Sequence, residues 1–153
     1  MLTDWIKFNL NKYLYTIRII STISILVSFI MNILAIDYGT KNIGLAWCQK
    51  ELGVVLPFGN VECRMWNVGL VNLIKKEKID KVIVGLPVGL DGKENENTKK
   101  IRNFVDELKK DIDVPVDFVD ERFTSAQADR MGGTVSRDEK SAMVILQSYL
   151  DKN

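Results

Sequence analysis

The 153-residue chain has no histidine. That excludes histidine-based triads, histidine zinc sites and an imidazole general base, so hydrolytic chemistry would have to rest on carboxylates, lysines or a metal ion. Cysteine is nearly as scarce. Cys48 and Cys63 show no CxxC spacing and read as two reduced thiols of a cytoplasmic protein rather than a bridge or a zinc site. No internal repeat or low-complexity tract is present, and neither charge sign dominates: the formal net charge is +1. A polyanion-binding surface would therefore have to come from local patches. Hydrophobic residues at 46% and charged residues at 27% fit one soluble domain with a sizeable core.

Residues 1–30 differ in kind from the rest. They carry Lys7, Lys12 and Arg18 against Asp4 alone, which leaves 18 basic and 19 acidic residues beyond them. Ile19 to Ile36 is an uncharged run of 18 residues, just the length of a membrane helix. Its end overlaps Asn-Ile-Leu-Ala-Ile-Asp, which reads better as a first strand, and the remaining dozen or so apolar residues are short for a span. This apolar extension reads as an upstream stretch preceding a functional start at Met31, as a membrane anchor, or as an extra helix. A domain is expected over 31–153, without membrane association.

From Met31 the pattern is regular. Asn32–Asp37 is a nearly continuous apolar run closed by an acid, as in a strand buried on both faces. After a turn at 38–42, further strands are expected at Ile43–Trp47, Val54–Val61, Lys81–Pro87 and Val114–Val119. Helical spacing marks Asn67–Lys78 and the face Ile101, Phe104, Val105 and Leu108, with a polar loop over Val88–Asn97. Thr124-x-x-Gln127 and Ser136-x-x-Glu139 match capping boxes that open two last helices. The order β-β-β-α-β-α-β-α-α implies an α/β fold, a five-stranded mixed sheet flanked by helices.

Three acids stand at element ends. Asp37 closes a buried strand, where an ionised carboxylate is costly unless it is paired or metal-bound; it reads equally as a turn residue bonding the Gly39–Thr40 amides. Glu121 follows the last strand on the face opposite Asp120, and reads also as a solvated strand end. Asp138 lies in the first turn of the final helix, where an acid favours the helix dipole by about 0.3–1 kcal/mol. Helical spacing nevertheless puts it on the inward stripe of Ala142, Ile145 and Tyr149. Strand ends and a helix start can converge at one sheet edge. Carboxylates without histidine are hard oxygen ligands, suited to Mg²⁺ or Mn²⁺.

IDYGTKNIGLA, VIVGLP followed by DG, VDERFTS and D-x-x-S-A-x-x-I-L-Q-S-Y-L stand in the order seen in the YqgF family. The chain resembles that family across essentially all of residues 31–153. The resemblance implies a ribonuclease H-like fold and an Mg²⁺- or Mn²⁺-dependent nuclease acting on structured nucleic acid: pre-16S ribosomal RNA, or a Holliday junction in branched DNA. It matches Asp37, Glu121 and Asp138 to the family's catalytic and metal-binding acids. Lys41 and Arg122, in the same motifs, become expected phosphate contacts. Many relatives have a longer basic segment before the last acid; here Ala126–Arg137 carries only Arg130 and Arg137. Fewer phosphate contacts imply weaker and less salt-dependent binding.

The expectation is therefore a metal-dependent endonuclease trimming the 5′ region of pre-16S rRNA, on pre-ribosomal particles in the cytoplasm. Junction resolution, which needs a dimer, is the second enzymatic reading. A non-catalytic nucleic-acid-binding module is a third. A fragment of an actin-like ATPase is a fourth, because Asp-Tyr-Gly-Thr-x-x-x-Gly also resembles a phosphate-binding hairpin; about 120 residues supply only one of the two domains that fold needs.

Overall fold

A computed structural model describes residues 10, 12–23, 30–87, 94–120, 131 and 133–153. The chain divides into two units, Met1–Ile30 and Met31–Asn153. In the first, residues 12–23 are helical. Among the described residues no helix is long and apolar enough to cross a membrane; residues 24–29, inside the apolar run, lie outside that description.

The second unit contains β1 (Asn32–Tyr38), β2 (Asn42–Gln49), β3 (Leu56–Glu62), a 3₁₀ turn (Cys63–Met65) and α1 (Trp66–Lys76). Then come β4 (Lys81–Leu86), α2 (Glu96–Asp111), β5 (Val116–Asp120) and α3 (Arg137–Leu150). The strands form one sheet in the order β3-β2-β1-β4-β5. β1–β2 and β2–β3 pair antiparallel, while β1–β4 and β4–β5 pair parallel. The expected five-stranded mixed sheet with flanking helices is present.

Period-two alternation along β1 splits the core into two layers. Leu34 and Ile36 face α1 and α2, where they pack with Leu70, Ile74, Ile101 and Leu108. Ile33 and Ala35 face α3, in a smaller cluster with Ala46, Ile83, Ala142, Ile145 and Leu146. Ile33 to Ile36 are all fully buried, each larger side chain contributing about 1.5–3 kcal/mol. The inward stripe expected for α3 is observed.

Boundaries moved where local chemistry outweighed hydrophobic pattern. The loop expected through Asn97 ends earlier, because Asn95 caps α2: its side chain accepts from Thr98 N at 3.0 Å while Thr98 Oγ1 accepts from Asn95 N at 3.2 Å. Thr98 Oγ1 also donates to Pro87 O at 2.7 Å, so this fully buried hydroxyl is satisfied and ties α2 to the end of β4. α1 stops at Lys76 because Lys78 turns into the left-handed region at φ 50°. The capping box at Thr124 and the helix expected after it lie outside the described residues.

Candidate active site

The site is built on one row of residues across three strands. Asp37 pairs with Gly44 on β2, and Gly44 pairs with Asn60 on β3. Asp37 follows Ile33 and Ala35 on the α3 face by strand alternation. A methyl at Gly44 would collide with the carbonyl group and Cα of Asp138. Glycine there lets the first turn of α3 rest directly on β2, which brings Asp138 beside Asp37.

A β-bulge secures that turn. Gly44 pairs with Asn60 and Ala46 with Pro57, so Phe58 and Gly59 together oppose Leu45. Gly59 takes φ 88° and turns its N–H out of the ladder. That N–H donates to Glu139 Oε1 at 2.8 Å. Asn60 Nδ2 donates to Ser136 Oγ at 3.1 Å. The expected capping box of α3 is formed, with Ser136 Oγ accepting from Glu139 N at 3.3 Å and the Glu139 carboxylate accepting from Ser136 N at 3.3 Å. The Ser136 hydroxyl donates to the same carboxylate at 2.6 Å. These bonds, that from the Ser136 hydroxyl foremost, hold Glu139 below the usual carboxylate range. Glu139 thus fastens α3 to β3 and fixes where Asp138 sits.

Asp37 is half-buried, and its pKa rises from 3.8 to about 6. Loss of water around the carboxylate is the main cause, and repulsion by Asp138 adds to it. A hydrogen bond from Ser141 and the positive charge of Arg137 act in the opposite direction. Two carboxylates held together in a half-dry site are each other's liability until a cation joins them. Bridging a hard divalent cation is chemistry this donor set fits.

The expected site residues divide accordingly. Asp37 and Asp138 are brought together. Lys41 is exposed on the β1–β2 turn, next to Gly39 and Asn42, whose backbones bond at 3.1 Å. Glu121 and Arg122 lie outside the described residues. Among the described residues no group of three or more acids, cysteines or histidines is arranged to hold a metal. Ser141, Arg137, Glu139 and Gly44 are site residues that the sequence pattern does not mark as such. The spacing Asp138-x-x-Ser141 places both on one helical face and was a usable signal. Glu139 was visible only as a cap. The thiols of Cys48 and Cys63 are both free, as expected, with Cys48 pushed up to about 11 mainly by burial.

A family model described as RuvX, Holliday junction resolvase, matches residues 31–152. The chain belongs to the RuvX family. Among its relatives, a Dictyoglomus turgidum protein named "Putative pre-16S rRNA nuclease" is 37% identical over 138 residues, spanning 79% of this chain and 94% of the relative. A Phocaeicola vulgatus protein of the same name is 38% identical over 132 residues, spanning 78% and 95%. The YqgF-type resemblance and the nuclease class therefore hold: this is a phosphodiester-hydrolysing enzyme of the RuvX family. Solved structures share the fold. Thermus thermophilus RuvC in complex with a Holliday junction substrate has a TM-score of 0.58 at 13% identity, covering 80% of this chain and 95% of that one. The fowlpox virus Holliday junction resolvase has a TM-score of 0.55 at 15% identity, covering 80% and 100%. The ribonuclease H-like expectation is met.

Proposed function

We propose that Asp37 and Asp138, with Glu121 as the third acid, form a divalent-metal centre that hydrolyses phosphodiesters in the precursor of 16S rRNA. The observation that carries this reading is the packing of Asp138 onto Gly44, which brings a second carboxylate to Asp37, whose pKa is raised to about 6 mainly by burial and further by Asp138. Glu121 is assigned because the family resemblance matches it to the third acid and it stands in sequence directly after β5, which ends at Asp120. Mg²⁺ or Mn²⁺ suits an all-carboxylate set. When bound, such an ion supplies water activation and charge stabilisation on the departing 3′-oxygen.

The chain's own residues supply the rest. The Ser141 hydroxyl holds the Asp37 carboxylate in one orientation and Arg137 offsets its charge. Lys41 and Arg122 contact substrate phosphates. The names of the relatives support ribosomal RNA as substrate; on this reading the enzyme acts on pre-ribosomal particles in the cytoplasm. The family description favours branched DNA as the second reading.

Metal-titrated cleavage of a labelled pre-16S fragment beside a four-way DNA junction decides between them. RNA is expected to be cut and the junction spared, with Asp37→Asn, Glu121→Gln and Asp138→Asn each inactive. Undiminished cleavage in any of these variants would sink the assignment.

A further inference from the structure

Along the strands from the Asp37–Gly44–Asn60 row, the β1–β2 turn and the 3₁₀ turn line an open polar cavity of about 390 Å³. Its walls are Thr40, Lys41, Asn42, Glu62, Cys63 and Arg64. The two turns are laced together: Cys63 N donates to Lys41 O at 2.9 Å and Cys63 Sγ to Gly39 O at 3.3 Å. Asn42 pairs with Glu62 two residues along the strands from the Gly44–Asn60 pair, so the cavity lies one step along the β2–β3 ladder from the glycine on which Asp138 rests. Cys63, on its wall, lies within the electrostatic reach of Asp138.

The cavity offers donors. Among the described residues, the Thr40 hydroxyl, the Lys41 ammonium and the Asn42 amide have no hydrogen-bond or ion-pair partner. Arg64 is engaged by Glu62 at 3.2 Å, but the two side chains are 88% and 62% exposed. An ion pair so solvated contributes little and exchanges readily. Glu62 is the one acid in the wall, and it occupies the guanidinium that an incoming anion would take.

We propose that this cavity binds a backbone phosphate of the nucleic-acid substrate, flanking the bond held at Asp37 and Asp138, with Arg64 and Lys41 as its cations. A guanidinium fork, an ammonium, a hydroxyl and an amide together match phosphate oxygens and no common cationic or apolar ligand. Position adds a reason. The carboxylate row repels a polyanion, and the adjacent cations offset that repulsion where the chain as a whole, at net +1, does not. The identity of the anion rests on the nuclease reading; the cavity and its donors do not.

The test uses the full chain and a fluorescein-labelled RNA oligonucleotide, with binding followed by anisotropy across a salt series. Arg64→Ala is expected to weaken binding several-fold and to flatten the slope of log affinity against log salt by about 0.7, one phosphate contact on a single strand. Arg64→Lys keeps the charge and is expected to restore the slope. Glu62→Gln, which releases Arg64, tightens binding. Arg64→Ala with unchanged slope and affinity overturns the proposal, as does Glu62→Gln without tightening. Anisotropy needs no turnover, so cleavage by Asp37→Asn judges the carboxylate centre separately.

Discussion

Gly44→Ala is a one-methyl change with a large expected effect on catalysis. The new methyl meets the carbonyl group and Cα of Asp138, which are backbone and cannot rotate aside. Either β2 flattens or the first turn of α3 lifts from the sheet, and both move Asp138 away from Asp37. Overpacking of this kind costs about 1–3 kcal/mol. Replacing glycine within a strand returns about 0.5–1 kcal/mol of chain entropy. The net loss of stability is therefore modest, about 0–2.5 kcal/mol, and the domain still folds. Catalysis is less forgiving: displacing a reacting group by an ångström costs on the order of 100-fold. Cleavage rate and thermal melting measured on the same preparation should show a rate loss of that order with a modest fall in Tm. Gly69→Ala is the matched comparison. Its added methyl would lie 3.3 Å from Val61 Cγ1, a side-chain atom able to yield, and alanine within a helix gains about 1 kcal/mol. That variant should keep its activity. Wild-type cleavage by Gly44→Ala would refute the claim that this glycine sets the spacing of the acids.

Asp37 makes the metal-free fold pH-sensitive. Its folded-state pKa is raised from 3.8 to about 6, so between those values the folded chain retains a proton that the unfolded chain has released. Stability contributed at this position therefore falls as pH rises from 3.8 through about 6, and stays low above that. Melting curves without metal should show Asp37→Asn more stable than wild type at neutral pH, with the advantage gone below the lower value; a constant difference would contradict the burial and repulsion invoked. Glu139→Ala removes the acceptor for Ser136 N, the Ser136 hydroxyl and Gly59 N, and should cost about 1.5–3 kcal/mol in urea unfolding. Because the Glu139 pKa is lowered, that contribution is present above the ordinary carboxylate value and fades as pH falls through the folded one. A penalty that persists undiminished in acid would show that the carboxylate is not the fastening group.

Local chemistry was the legible part of this sequence. The apolar run Ile33–Ile36 announced a doubly buried strand, and Ser136-x-x-Glu139 announced the start of α3, because both signals lie within a few residues. Asn95-x-x-Thr98 passed unread, since the N3 position of a capping box is usually Glu or Gln. Asp37 and Asp138 were identifiable as candidates. The surroundings that make them a site were not, because these depend on register: Gly44 opposite Asp37, the bulge that frees Gly59, and the seating of α3 over both. No window of sequence contains Gly59 and Glu139 together, and the second role of Glu139 is invisible without that contact.

The central claim is that Asp37 and Asp138 share a divalent cation, and Mn²⁺ binding followed by loss of the free-ion electron paramagnetic resonance signal tests it without any substrate. Wild-type protein should take up Mn²⁺ at neutral pH, with affinity declining as pH falls through about 6, where Asp37 gains its proton. Asp37→Asn and Asp138→Asn should each lose the binding. Mn²⁺ uptake by either variant equal to that of the wild type would contradict a shared carboxylate centre.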